Sequence, residues 1–275
     1  RSTLFPYTTL FRSHESLEAI EKVHLKFMKL ICNLKMSTPN YMVYGELGRY
    51  PLRIRILKRL VKFWHSLAVP KNSNPKLSQH IYNLVIVRKQ RHEYNDKWVN
   101  VVESLLNDLG LCNIFRHPEI VSAEWLASKV ETVLKDHFLQ DWRSSMNNSS
   151  KASHYKIMKD SLNFERYLLL PINIYLPILK FRTTNHRLPI ETGRWESIAR
   201  ENRLCKLCDS PAVADEFHYI MRCSFFNDLR MKLINPKHLE WKNLSSFKQI
   251  LCTKKTSDLK RLSIFINCIF SHFKQ

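Results

Sequence analysis

Apolar residues near the start of the chain recur at three- and four-residue steps, a pattern typical of amphipathic helices. They predict a first helix whose buried face consists of Leu17, Ile20, Phe27, Ile31 and Leu34. The opposite face carries Lys22, Lys26 and Lys29. A charged stripe opposite an apolar one indicates a helix that packs on one side only.

Two further helices are predicted before residue 70. The first covers residues 41–47, where Thr38 can cap the start, Pro39 suits the first turn and Gly48 ends the helix. The second covers residues 51–67 and begins at Pro51. Its predicted apolar face consists of Leu52, Ile56, Leu60, Phe63 and Leu67, with Arg53 as an exception among them, and its basic face consists of Arg55, Lys58, Arg59 and Lys62.

The rest of the chain keeps a helical character. Residues 70–75 and 147–150 are turn-rich connectors, and helices are predicted before Gly110, after Pro118 and over residues 155–170. Residues 171–177 cannot continue a helix without a break, because they contain two prolines. Four glycines and almost no alternating apolar and polar runs argue against a sheet, so the predicted fold is mainly α, with domains at residues 14–70, 76–147 and 151–275.

The charge of the chain indicates a polyanionic partner. It has 44 Lys and Arg against 24 Asp and Glu, a formal charge of +20, which favours RNA, DNA or both as the partner over a merely soluble basic protein. Seven scattered cysteines do not form a paired disulfide framework, so we expect an intracellular protein, nuclear or cytoplasmic. The most apolar stretch is too short to span a membrane, and no membrane partner is expected.

One group of residues has the spacing of metal ligands. Cys205, Cys208, His218 and Cys223 form a C-x2-C-x9-H-x4-C pattern, which predicts a small zinc-binding module over about residues 194–230. Four protein ligands leave no open position, so the zinc would be structural. The alternative is that these cysteines are simply buried apolar residues and that His218 is a core histidine. For the other four cysteines, Cys32, Cys112, Cys252 and Cys268, a buried core position is the favoured interpretation.

Basic and aromatic residues surround this pattern. The cations are Arg194, Arg200, Arg203, Lys206 and Arg222, and the aromatic residues are Trp195, Phe217, Tyr219 and Phe225. Such a mixture suits phosphate contacts and base stacking. It also suits aromatic core residues beside a solvated basic face, and the sequence leaves both interpretations open.

Two parts of the sequence resemble the region downstream of the polymerase domain in LINE-type (non-LTR) retrotransposon reverse transcriptases. They are STPNYMVYGELGRYPL with KRLVKFWHSL, and KFRTTNHRLPIETGRW followed by RLCKLCDSPAVADEFHYIMRC. The resemblance covers nearly everything after His14. It implies thumb-adjacent helices over residues 14–70, the family's zinc positions at the three cysteines and His218, and an acidic pair at Asp215 and Glu216.

No catalytic site is expected in this chain. The family's polymerase uses paired aspartates that hold two metal ions, and the sequence has no Asp-Asp pair. The resemblance implies that this polymerase domain lies upstream of the sequence. A nuclease using Glu240 and Lys242 has too few residues for its fold, and no clustered acid and base favour a hydrolase.

Two hypotheses follow for function. The first is a non-catalytic nucleic-acid-binding segment of an RNA-directed DNA polymerase, which grips template RNA or target DNA. The second is a zinc-stabilised protein-interaction module in which the positive charge is incidental. Salt dependence separates them, because phosphate contacts release counterions and apolar contacts do not.

The first thirteen residues are a separate case. Residues 1–13 read RSTLFPYTTLFRS, which resembles the translation of a standard sequencing adapter. The alternative is a natural proline-containing leader. On the adapter interpretation the natural protein continues upstream of His14, and this segment has no part in the fold.

Overall fold

The computed structural model describes residues 14–70, 76–93 and 97–273, and regular structure in these ranges is helical. The mainly α prediction is confirmed, since the described ranges contain an isolated antiparallel bridge between Leu204 and Val213 but no strand. The helices are α1 (His14–Ile31), α2 (Asn40–Leu47), α3 (Leu52–Ala68), α4 (Leu77–Gln90), α5 (Lys97–Asp108), α6 (Cys112–Arg116), α7 (Ala123–Asn147), α8 (Tyr155–Met158), α9 (Ile172–Arg182), α10 (Pro189–Trp195), α11 (Asn227–Leu233), α12 (Leu244–Leu251) and α13 (Thr256–Ser271).

The chain divides into two compact units that differ from the predicted domains. The first unit consists of two stretches, the part of α1 that ends at Leu25 and Tyr50–Asp141. The second unit consists of Lys26–Arg49 and Trp142–Gln275. Segment 26–49 therefore belongs with the C-terminal half, which local periodicity does not reveal. The predicted adapter segment, residues 1–13, lies outside the described residues.

The core of the first unit is built around Trp64 of α3. Its indole Nε1 donates to the hydroxyl of Tyr82 at 3.0 Å, and its ring stacks on Phe115 with 5.4 Å between centroids. Apolar residues from α3, α5, α6 and α7 complete this core, namely Leu57, Leu60, Val61, Leu67, Val99, Val102, Leu106, Ile114, Leu126 and Val130. Burying aromatic and branched side chains in this way is the main source of stability for a helical unit.

Two predicted apolar faces are partly wrong. On α3, Phe63 is exposed and the buried face contains Ile54, Leu57, Val61 and Trp64. On α1, Phe27 and Ile31 are exposed, whereas Leu25 and Met28 are buried, as is Cys32 directly after the helix. Both helices carry two apolar stripes at helical spacing, so periodicity identifies the helix but cannot choose which stripe is buried.

The core of the second unit contains a buried ion pair between Arg182 of α9 and Glu46 of α2. Arg182 donates from Nη2 to Glu46 Oε1 at 3.0 Å and from Nη1 to the carbonyl of Leu251 at 3.0 Å. Tyr167 donates to Glu46 Oε2 at 2.6 Å. Burial lowers the pKa of Arg182, but the charge of Glu46 and smaller contributions from neighbours that include Glu165 together outweigh burial and raise it, so the guanidinium stays charged.

The end of α2 shows why Gly48 ends the helix. Its φ of 57° is left-handed, and its N–H bonds to the carbonyl of Gly45. A Cβ on Gly48 would also lie 2.2 Å from the amide nitrogen of Phe164. The predicted stop at Gly48 is confirmed, whereas the predicted Thr38 cap is wrong, because Pro39 is the capping residue and makes no side-chain hydrogen bond.

Two predictions for residues 155–177 are wrong. Residues 155–170 do not form one helix, since α8 ends at Met158 and a short 3-10 turn follows at Arg166–Leu169. Pro177, in contrast, lies inside α9. A proline removes the hydrogen bond to the carbonyl four residues earlier, and here the hydroxyl of Ser263 donates to that carbonyl, Asn173 O, at 3.1 Å.

Crossing a bilayer requires a helix that is both long and apolar. None of the helices in the described ranges combines these two properties.

Breaking the buried ion pair should strongly destabilise the second unit. We expect Glu46→Gln to lower the free energy of unfolding by about 3–5 kcal/mol, because it removes the buried counter-charge of Arg182 and leaves only the partly exposed carboxylate of Glu165, 3.4 Å away. Chemical denaturation followed by circular dichroism measures the change. The matched control is Glu240→Gln, an exposed carboxylate of the same unit, with an expected change below about 0.5 kcal/mol. Equal stability of the two variants would contradict the role of the pair.

Candidate metal centre and basic surfaces

A short hairpin positions the first two cysteines. The amide of Cys205 donates to the carbonyl of Ala212 at 3.1 Å, and the amide of Ala214 donates to the carbonyl of Arg203 at 2.8 Å. Between these strand-like segments the chain turns at Cys205-Lys-Leu-Cys208, and the amide of Leu207 donates to Cys205 Sγ at 3.4 Å. The turn therefore directs a backbone N–H donor at the sulfur of Cys205.

A wide helical turn positions the other two residues. The segment His218–Arg222 is a π-helix, closed by a 2.8 Å bond from the amide of Cys223 to the carbonyl of His218. The carboxylate of Asp215 accepts from the backbone amide of His218 at 2.9 Å and so caps the turn. Single-turn π-helices are frequent at functional sites, and their wider turn shifts side chains out of the ordinary helical register.

The four predicted ligand residues meet at one point. One ligand atom from each of Cys205, Cys208, His218 and Cys223 lies within 4.8 Å of every other. The Sγ atoms of Cys205 and Cys223 are 3.9 Å apart, and Cys208 Sγ lies 3.5 Å from His218 Nε2. These residues form a group that can hold a metal ion, which confirms the predicted grouping.

The imidazole of His218 is ready to bind a metal, whereas the thiol of Cys223 must lose its proton when the metal binds. Burial lowers the pKa of His218, so its imidazole is neutral and can act as a ligand. Burial, followed by the charge of Cys205, raises the pKa of the Cys223 thiol to about 12. Sulfur atoms this close repel one another as thiolates, and a cation at their centre removes that repulsion.

Arg230 stabilises the turn between His218 and Cys223, and sequence reasoning did not find it. This residue of α11 is buried and donates to the carbonyls of Ile220 at 2.7 Å, Tyr219 at 3.1 Å and Cys223 at 2.7 Å. A planar guanidinium has five donors in a fixed fork, which lets Arg230 reach three carbonyls of the turn at once. In the sequence, Arg230 is one basic residue among many, so nothing there indicates that it stabilises this turn.

Two histidines hold Glu216, which lies directly before the turn between His218 and Cys223. Glu216 accepts from His154 Nδ1 at 2.9 Å and pairs with His186 Nε2 at 3.0 Å. Burial raises the pKa of Glu216, but the hydrogen bonds from His154 and His186 outweigh burial and hold it well below its usual range. The acidic pair that the sequence singled out thus has distinct structural roles, since Asp215 caps the turn and Glu216 anchors it.

The predicted cations around the metal group separate into paired and exposed residues. Arg203 donates to the carbonyls of Ile190 and Ile198, and Arg194 donates to Ser150 and Glu191. These guanidinium groups are engaged by the fold, so they add less to a binding surface than the sequence predicts. Exposed positions are Lys206, between the first two cysteines, and Arg222, whose guanidinium lies 4.9 Å above the ring of Phe217.

The aromatic residues near the metal group separate in the same way. Tyr219 is fully buried, and Phe217 packs edge-on against Phe247 with 5.5 Å between ring centroids. Trp195 and Phe225 are exposed. Tyr219 is therefore a core residue. Trp195 and Phe225 remain candidates for stacking on bases.

The lysines of α1 are not equivalent. Lys22 and Lys26 are exposed, as the helical pattern predicts. Lys29 is buried, and its ammonium donates to the carbonyl of Met36 at 2.8 Å. The prediction that Lys29 belongs to a phosphate-binding face is therefore corrected, because this lysine stabilises the turn after α1.

The basic face of α3 is partly neutralised by carboxylates of α7. Lys58 pairs with Glu131 at 2.5 Å, and Lys62 pairs with Glu124 at 3.3 Å. Arg55 and Arg59 are exposed, and neither forms an ion pair with a described residue. The two arginines are thus better placed for phosphate than the two lysines, a distinction that helical spacing cannot make.

One metal ion should bind per chain through these four residues. Metal analysis of the purified chain measures the content, and Cys208→Ser should lower it because the substitution removes one of four ligands. Cys112→Ser is the matched control, since Cys112 lies outside the group and is exposed, which shows that its predicted core position is wrong. Metal content near zero in the unaltered chain, or unchanged in the Cys208 variant, would show that the group does not bind a metal.

The Lys58 ion pair predicts an unusually acidic carboxyl at Glu131. Hydrogen bonds from Lys135 and Lys58 lower the pKa of Glu131 to about 2. Since the folded pKa is depressed, the pair stabilises the fold above pH 4.5, and this contribution falls as the pH drops from 4.5 towards 2. An NMR titration should show the pKa of Glu131 rising in Lys58→Ala. A value unchanged by this substitution would mean that Lys58 is not paired in solution.

Comparison with known proteins assigns no family to this chain. No protein-family model, no curated protein and no solved structure matches it. Function must therefore be argued from the metal-ligand geometry and the charge of the chain itself.

Proposed function

We propose that this chain is a non-catalytic nucleic-acid-binding module stabilised by one structural zinc ion. The observation that carries the proposal is the convergence of three cysteines and a histidine in a chain of formal charge +20. A metal site fixes the local fold, and excess positive charge attracts phosphate.

The choice of zinc rests on the donor atoms and their spacing. Three thiolates with one imidazole are a common zinc ligand set. Ideal tetrahedral zinc, with bonds of about 2.3 Å to sulfur and about 2.0 Å to nitrogen, places two sulfurs about 3.8 Å apart and sulfur about 3.5 Å from nitrogen. The observed separations are 3.9 Å and 3.5 Å. Because the protein fills all four positions, the ion would organise the fold and would not activate water.

The zinc would also position cations. Lys206 lies between two ligands and Arg222 immediately precedes a third, and both are exposed. A phosphate-binding surface built on these loops would lose its geometry without the metal. In the first unit, Arg55 and Arg59 supply a second exposed basic surface.

We further propose that the module is the C-terminal region of a LINE-type retrotransposon reverse transcriptase. Support comes from the sequence segments that resemble this family and from the Cys3His group at the positions that the resemblance implies. On this proposal an upstream domain supplies the polymerase activity, and the chain acts inside the cell on RNA or DNA. All seven cysteines are free thiols, which is compatible with a reducing compartment.

A second candidate function is a zinc-stabilised protein-interaction module. The observation that favours it is an exposed apolar stripe on α4, made of Leu77, Ile81, Leu84 and Val87. Exposed apolar side chains at helical spacing are typical of helix-mediated interfaces.

Salt dependence of binding tests the proposed function. Fluorescence anisotropy of the full chain with a labelled 20-nucleotide RNA and a 20-base-pair DNA should show affinity falling steeply from 50 to 200 mM salt. Arg55→Ala with Arg59→Ala should reduce the salt slope by up to about two, because each arginine that binds a phosphate contributes about one. The matched control replaces Arg88 and Arg91, two exposed arginines of the same unit.

The same measurement identifies failure. No binding to either probe at low salt would refute the nucleic-acid proposal and leave the protein-interaction candidate. Binding that both double variants weaken equally would show only general charge attraction, so α3 would not be a specific contact surface.

A further inference from the structure

An exposed tryptophan in the second unit carries a cation on its ring. Trp195, the last residue of α10, is 58% exposed. The ammonium of Lys35 lies 5.1 Å from the centre of its indole ring. An ammonium held over an indole fixes the position of both side chains, so the ring is a prearranged surface feature.

Three more cations lie near Lys35. Burial lowers the pKa of Lys35, and the charges of Arg187, Lys180 and Lys151 lower it further. The four residues come from different segments: the turn after α1, the 3-10 turn at Ser150–Ala152, the end of α9 and the loop before α10. We call Lys35, Lys151, Lys180 and Arg187 the Trp195 cluster.

Little negative charge offsets this cluster. Glu191 is the carboxylate that acts on Lys35, and it is buried. It already pairs with Arg194 at 3.2 Å and lies 3.9 Å from Lys151. Four like charges held together cost free energy, and an anionic ligand removes that cost.

We propose that the Trp195 cluster binds single-stranded nucleic acid, with a base stacked on the exposed indole and the flanking phosphates held by the four cations. This inference rests on the proposed function and deepens it, because it adds a site and specifies the strandedness. An exposed indole can stack only on a base that is free of a duplex, whereas the cations accept any phosphate backbone. Flat aromatic surface beside positive charge is the combination that single strands recognise.

The cluster differs from the surfaces predicted from sequence. None of its four cations was among the residues predicted to contact nucleic acid, because they lie up to about 150 positions apart and share no helical face. Trp195 alone was singled out, beside the metal ligands.

The experiment compares single-stranded and duplex probes on the full chain. The probes are a fluorescein-labelled 12-nucleotide oligo-dT and a 12-base-pair duplex, each measured by anisotropy. Trp195→Ala should weaken binding of oligo-dT about tenfold and of the duplex less than twofold, because one stacked base contributes about that factor. Trp195→Phe should restore most of the affinity, since phenylalanine also stacks. Circular dichroism checks that each variant is folded.

Matched variants control for surface aromatic content and charge. Trp241 is 71% exposed in the same unit, and Trp241→Ala should leave binding unchanged. Lys35→Ala with Arg187→Ala should reduce the salt slope by up to about two, whereas Lys254→Ala with Lys260→Ala, two exposed lysines elsewhere in this unit, should change it less.

The outcomes separate this inference from the proposed function. If the unaltered chain binds oligo-dT and Trp195→Ala binds equally well, the cluster is not the site, although the module still binds nucleic acid. Equal losses of affinity for both probes would reject the single-strand specificity. Full displacement of oligo-dT by polyglutamate at equal charge would indicate an acidic protein partner. No binding of either probe would refute the proposed function as well.

Discussion

The second unit depends on the buried ion pair between Glu46 and Arg182. It joins residues 136 positions apart and connects α2, α9 and the end of α12 through one guanidinium. Such a pair is tolerated in an apolar interior only when its remaining hydrogen-bonding atoms have partners. Here Tyr167 donates to Glu46, and the carbonyl of Leu251 accepts from Arg182. By fixing α2 and α9, the pair also fixes the segments that carry Lys35 and Lys180.

Local sequence signals located the first three helices but did not reveal the division into two units. Periodicity, Pro51 and Gly48 located α1, α2 and α3, because these signals act within one or two turns. The path of α9 through Pro177 could not be predicted, since it depends on a hydroxyl donated by Ser263, nearly ninety residues later in the chain. The unit boundaries also depend on distant contacts, of which Glu46 with Arg182 is the clearest.

The metal ligands were predictable because they are close in sequence and chemically distinctive. Their supporting residues were not. Arg230, His154 and His186 carry no spacing signal, and only the fold shows that they hold the turn and Glu216. Among the predicted cations, the sequence could not separate exposed Arg55 from paired Lys58 or buried Lys29, because pairing and burial are set by neighbouring helices.

The short separation of the metal ligands has a consequence for folding. Cys205 and Cys223 are 18 positions apart, whereas Glu46 and Arg182 are 136 apart. The entropy lost on closing a loop grows with the logarithm of its length, so the longer closure costs about 2 kcal/mol more. The hairpin and the π-turn can therefore close as a local nucleus, while the ion pair must wait for distant segments to meet.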